Sequence, residues 1–146
     1  EEETRALGER LGRHLRRGDV VLLSGDLGSG KTCLTQGIGR GLGCRGQVNS
    51  PSFVLMNEYA GREVLYHVDL YRIDSEQEAE SLGLEELFDR EAVVLIEWGE
   101  RFPRLLPEER VEIRLEHAGG DRRRIRVDAR RQAARSQTPG PAAAVG

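Results

Sequence analysis

Eight consecutive residues, Gly25-Asp26-Leu27-Gly28-Ser29-Gly30-Lys31-Thr32, restrict what this chain can fold into more than any other stretch. They follow the short apolar run Val20-Val21-Leu22-Leu23 and lead into a helical segment from Lys31 to about Leu42. Strand, glycine-rich turn and helix in that order are the context of a phosphate-binding loop. Glycines at 25, 28 and 30 let backbone N–H groups turn inward on a phosphate with no Cβ in the way. The helix that starts there adds unpaired N–H groups and the positive end of its dipole. Lys31 can reach a β- or γ-phosphate, and the Thr32 hydroxyl can hold Mg²⁺. Of the 22 basic residues, all but Lys31 are arginine. A compact ammonium is kept only where an arginine fork would not fit the slot.

At 146 residues and 38% hydrophobic, the chain suits one domain with a real core. Its net charge of −3 argues against nucleic-acid binding driven by an overall positive field. Cys33 and Cys44 are too few for a disulfide framework or zinc site, and Cys33 reads as a small buried thiol in the first turn of its helix. No apolar run approaches membrane-spanning length and no signal peptide is visible, although the chain starts without Met. The expectation is a cytoplasmic protein that does not engage a membrane.

Thr4 to Arg17 reads as an amphipathic helix, with Leu7, Leu11 and Leu15 on one face and Gly18 as its stop. Val20–Ser24 is apolar enough for a central strand covered on both faces. Phe53–Tyr59 and Glu63–Asp69, joined at Ala60-Gly61-Arg62, form a hairpin. Ser75 with Glu78 makes a capping box for a helix closed by Gly83, and Leu84–Phe88 is a further short helix. Ala92–Glu97 is a second buried strand, and the alternating segments Arg110–Glu116 and Arg123–Ala129 form a C-terminal β-hairpin. The sum is an α/β fold: a P-loop NTPase-like mixed β-sheet flanked by helices. Residues 1–131 form its one domain, and residues 132–146, nearly without large apolar side chains, form a disordered tail.

Hydrolysis would need a carboxylate near Mg²⁺ and a group that orients water. Glu97 closes the run Val93-Val94-Leu95-Ile96, the arrangement in which a strand delivers an acid to the metal beside Thr32; the bland alternative is a surface acid that ends a strand. Asp69 closes Val64-Leu65-Tyr66-His67-Val68, and open α/β sheets place ligands at such strand ends. It reads equally as holder of a metal-bound water or a base, and as a cap or an ion-pair partner of nearby Arg72. Ser50-Pro51-Ser52 sits where switch loops of nucleotide hydrolases lie, and equally reads as a turn fixed by proline. His67 reads as a structural residue, and Trp98 as a packing anchor or partner-surface residue. The arginine run from Arg122 to Arg131 reads as a solvated edge strand, a phosphate contact, or a patch for RNA or an acidic partner.

The phosphate loop, Asn49-Ser50-Pro51-Ser52-Phe53, His67-Val68-Asp69-Leu70-Tyr71-Arg72 and Ile96-Glu97-Trp98, in this order and spacing, resemble the TsaE (YjeE) family from about Glu3 to Asp128. That resemblance implies an ATPase needed for threonylcarbamoyladenosine in tRNAs that read codons beginning with adenine; nothing in the chain is clearly an arginine finger acting in cis, so low activity is expected of it alone. It implies action with TsaD and TsaB, stimulated by their complex, with tRNA touched indirectly or weakly. It implies ATP bound by Gly25 through Thr32 and Cys33, with Thr4 in an N-terminal stretch near the adenine and Arg123 near the nucleotide. It implies Mg²⁺ at Thr32 and Glu97, catalytic roles for Lys31, Asp69 and Glu97, and a switch at Ser50 and Ser52. Trp98 matches the family's tryptophan after the acid. Ser52 stands where threonine is usual, Gly99 replaces a usual proline and should loosen the turn after Glu97, and Asp121 with three following arginines replaces a simpler Gly-Arg.

Three other readings compete with an ATP hydrolase. A GTPase needs an Asn-Lys-x-Asp clamp, which a chain with one lysine in its phosphate loop cannot supply. A small P-loop kinase needs a lid, and only the short acidic stretch from Asp74 to Arg90 is spare. The stronger rival is a nucleotide-gated binding module in which ATP occupancy, and not turnover, matters.

Overall fold

A computed structural model describes residues 2–25, 30–45, 56–119 and 123–130. Expectations for Asp26, Leu27, Gly28, Ser29, Ser50, Ser52, Arg122 and the 132–146 tail fall outside these residues. The elements are α1 (Glu2–His14), β1 (Val20–Gly25), α2 (Lys31–Gly41), β2 (Met56–Tyr59), β3 (Leu65–Asp69), α3 (Glu76–Glu80), α4 (Leu84–Phe88), β4 (Val93–Glu97), β5 (Arg110–His117) and β6 (Arg123–Arg130). Two 3₁₀ turns, Gly99–Arg101 and Pro103–Leu105, follow β4.

The six strands form one mixed sheet in the order β2-β3-β4-β1-β5-β6. Strands β3, β4, β1 and β5 run parallel, and each edge carries an antiparallel partner, β2 on one side and β6 on the other. The expected central position of β1 is met: Val20 to Leu23 are all buried. Because side chains alternate across a sheet, its two faces build two cores. Val21, Leu23, Leu65, Val93, Leu95, Val111, Ile113 and Leu115 face α1 and α2. Val20, Leu22, Tyr66, Val68, Val94 and Ile96 face α3, α4 and the 3₁₀ turns, through Ala79, Leu84, Leu87, Phe102 and Leu106.

Helix α1 begins and ends earlier than its apolar periodicity suggests. The acids Glu2 and Glu3 favour its first turn, and Asp19 Oδ2 takes the Arg16 backbone N–H at 2.8 Å, which closes the chain on itself before Gly18 (φ 92). Leu15 lies past the helix end and is nevertheless buried. The Ser75 cap forms as expected, its Oγ accepting the Glu78 N–H at 3.1 Å.

Helices α1 and α2 cross at backbone contact. Gly8 and Gly12 on α1 meet Gly37 and Gly41 on α2; a Cβ built on Gly37 would overlap the Arg5 carbonyl oxygen, and one on Gly8 the Leu34 carbonyl oxygen. Glycines at spacing four on both helices remove the side chains that would otherwise hold the axes apart. The Gly99 expectation is reversed. Gly99 is buried, and a Cβ there would come within 2.8 Å of Leu22 Cδ1 and 2.9 Å of Ile96 Cγ2, so the turn is packed tight.

Candidate functional site

Parallel strands carry their last residues to one edge of the sheet, and three of these ends meet the start of α2. Register sets Glu97 beside Leu23 of β1 and beside Asp69 of β3. Gly30, in the left-handed region (φ 99), caps α2 and turns the chain so that Lys31 begins the helix. The result brings together side chains 66 positions apart in the chain: Lys31 Nζ lies 3.9 Å from Glu97 Oε1, with the two side chains only 9% and 6% exposed.

An ammonium and a carboxylate this buried would be costly apart, so each serves as the other's counter-ion. Their distance is beyond a hydrogen bond, which leaves both groups free to take a closer partner. The ammonium also sits 4.5 Å from the Trp98 ring centroid, a cation–π contact worth about 2 kcal/mol when desolvated. Trp98 in turn stacks on Tyr71, centroids 5.0 Å apart. Trp98 has φ 66, the one positive-φ residue other than glycine among the described residues, and a bulky residue there costs about 1–3 kcal/mol. The contacts with Lys31 and Tyr71 offset that strain. Trp98 therefore faces the lysine and is half-buried, while Tyr71 beside it is 52% exposed.

Asp69 is half-buried and its Oδ1 accepts the Tyr71 backbone N–H at 2.9 Å, so the turn-capping reading holds; among the described residues no ion pair with Arg72 accompanies it. Burial pushes the Asp69 carboxyl up from its ordinary range; the Tyr71 N–H opposes this, and the neighbouring Glu97 charge adds to it. A raised folded-state value means that the native protein binds more protons than the unfolded chain between the two values, so Asp69 costs stability progressively as pH rises through them. Asp69→Asn keeps the bond to Tyr71 and removes that cost. Urea unfolding is expected to show no gain for the variant near pH 3.5 and a growing gain towards pH 7. An equal offset at both pH values would refute the assignment.

Thr32 is exposed on the first turn of α2, and Cys33 is half-buried, less enclosed than its sequence position suggests. Thr4 is buried in the first turn of α1, and its neighbour Arg5 donates from Nε to Gln36 Oε1 on α2 at 3.1 Å. Arg123 opens β6 opposite His117, at the same sheet end as Gly25, which pairs with Leu115; its side chain lies outside the described residues. Arg124 and Arg126 are exposed on this edge strand.

Two residues gain importance that their local sequence did not suggest. His67 is fully buried, with Nε2 2.6 Å from Glu97 Oε2. Its alternation with Asp69 on one strand face was the available signal. Arg101 donates to the Tyr71 carbonyl at 2.8 Å and to the Ile73 carbonyl at 2.7 Å, which ties the turn after Asp69 to the turn after Glu97. Nothing in the sequence around Arg101 marked it.

No group of three or more His, Cys, Asp or Glu among the described residues could hold a metal alone. Among the described residues, the donors at this sheet end include Glu97 Oε1, the Thr32 hydroxyl at the start of α2, and Asp69 at the neighbouring strand end. That set fits Mg²⁺, which keeps waters and uses one or two protein oxygens plus substrate phosphates. A cavity of about 390 Å³ between α3, α4 and Leu105 is lined by Glu80, Glu85 and Glu86 on the other face, where carboxylates would repel a phosphate. Among the described residues, no helix is long and apolar enough to cross a membrane.

Residues 1–125 match the family model described as Threonylcarbamoyl adenosine biosynthesis protein TsaE. A Bacillus subtilis protein described as tRNA threonylcarbamoyladenosine biosynthesis protein TsaE is 45% identical over 125 residues, 85% of this chain and 78% of the relative. One from Treponema pallidum with the same description is 40% identical over 126 residues, 86% of this chain and 93% of the relative. The crystal structure of Bacillus subtilis YdiB superposes with a TM-score of 0.74 and 35% identity, over 93% of this chain and 84% of that one.

Proposed function

Because the chain belongs to the TsaE family, whose members serve tRNA threonylcarbamoyladenosine biosynthesis, we propose that it is a Mg²⁺-dependent ATP hydrolase acting with TsaD and TsaB. The observation that carries this reading is the buried pairing of Lys31 with Glu97 across the start of α2.

On this proposal each group has its own role. The amides of the glycine loop and the α2 N-terminus receive the phosphates. Lys31 leaves its loose contact with Glu97 for the β/γ oxygens, a closer and more highly charged partner. Glu97 and the Thr32 hydroxyl would hold Mg²⁺, which would supply charge neutralisation at the transferring phosphoryl group. To Asp69, at the neighbouring strand end, falls the orientation of water on this proposal. As Lys31 departs, Trp98 loses its cation–π partner and its strained turn becomes free to move, with exposed Tyr71 beside it. This gives a partner protein a way to sense the nucleotide.

The test is modification of unmodified tRNA by reconstituted TsaB, TsaD and this chain. Lys31→Ala is expected to lower modification to the level seen without the chain, with nucleotide affinity falling by about 100-fold or more, since a charge-assisted contact and its alignment are both lost. Full modification by Lys31→Ala would defeat the proposal.

A further inference from the structure

We infer that His67 is a positioning residue for Glu97, holding one carboxylate oxygen so that the other stays turned to the metal position; this rests on the role proposed above for Glu97. His67 sits within the core layer that faces α1 and α2, where its neighbours on the same sheet face are Leu65, Leu95, Val93 and Leu23. A polar ring in such a layer must recover its desolvation through hydrogen bonds. Here it has one. Nε2 meets Glu97 Oε2 at 2.6 Å, while Nδ1 is buried without a partner among the described residues.

That imbalance is informative. A histidine kept only to fill space would be served as well by leucine, as its register partner Leu95 shows. With no partner for Nδ1 among the described residues, the ring hydrogen belongs on Nε2, where it donates to the carboxylate. A carboxylate held at one oxygen loses its free rotation, and Glu97 Oε1 is kept on the Lys31 side at 3.9 Å from the ammonium, unbonded. Metal-ligating carboxylates are themselves characteristically hydrogen-bonded in this way, and removing the partner typically weakens metal binding about 10- to 100-fold.

The test is calorimetric titration of the full chain with a non-hydrolysable ATP analogue, in excess Mg²⁺ and in EDTA. The wild type should bind more tightly with Mg²⁺. His67→Leu is expected to lose about 10- to 100-fold in affinity with Mg²⁺ and to match the wild type in EDTA. His67→Gln, whose amide nitrogen reaches close to the Nε2 position, should recover most of the loss; His67→Asn, whose amide reaches only as far as Nδ1, should not. A wild-type Mg²⁺ effect in His67→Leu overturns the inference. If that variant does not fold, the Gln and Asn pair decides, and an equal Mg²⁺ effect in both overturns it. A wild type that binds equally with and without Mg²⁺ would instead remove the role of Glu97, and that of His67 with it.

Discussion

Glu97→Gln is expected to leave ATP bound and to lower TsaB–TsaD-stimulated turnover by at least about 100-fold, some 2.7 kcal/mol of barrier. Glutamine keeps the volume and can still accept from His67, so the core around β4 should survive. What it loses is the charge. The position is 5% exposed, and a neutral amide there offers Mg²⁺ a poorer oxygen and leaves the Lys31 ammonium without its counter-ion. Lys31 is then freer for the phosphates, which offsets part of the weaker metal contact, so nucleotide affinity in excess Mg²⁺ should fall by no more than the about 10- to 100-fold expected of His67→Leu. Turnover measured with the partner complex and affinity measured in parallel distinguish this from simple misfolding. Variant turnover within about threefold of wild type, under 1 kcal/mol, would mean that Glu97 does not engage the reacting metal. The same variant separates hydrolysis from occupancy: if it modified tRNA at the wild-type rate, the chain would be a nucleotide-gated binding module.

Gly37→Ala is expected to cost about 3 kcal/mol or more and to lower the melting temperature by roughly 10 °C, although alanine is the better helix former by about 1 kcal/mol. The obstacle is the Arg5 carbonyl, which belongs to helix backbone and cannot rotate aside as a side chain would. Relief requires the two helices to separate, and α2 carries Lys31 at its first position. Nucleotide affinity should therefore fall together with stability. Arg40→Ala, on the exposed side of the same helix, is the control and should stay within about 0.5 kcal/mol of wild type. Melting of Gly37→Ala within a degree or two of wild type would show that the helices do not cross as closely as described.

These two expectations draw on different kinds of information. Glu97 is visible in the sequence because a run of four apolar residues ending in an acid has a local meaning. Gly37 is not, since spaced glycines in a glycine-rich chain have no partner until a second helix is laid against them. The caps and hairpins divide in the same way. Ser75 with Glu78, and the two alternating runs around Gly119, signal their structures within a few residues, and both form. The end of α1 depends on Asp19 folding back to Arg16, a contact that periodicity in Leu7, Leu11 and Leu15 does not encode.

The sequence by itself determined the six strands and their patterning, and the candidate acids at two strand ends. Each of these depends on steric and hydrogen-bonding preferences over a handful of adjacent residues. Tertiary structure alone decided that Lys31 stands beside Glu97, that Trp98 is held in a left-handed turn beneath the ammonium, that His67 spends its single hydrogen bond on Glu97, and that Arg101 ties two loops together. All four depend on strand order and register. A parallel sheet brings residues distant in the chain to one edge only after the whole core has packed.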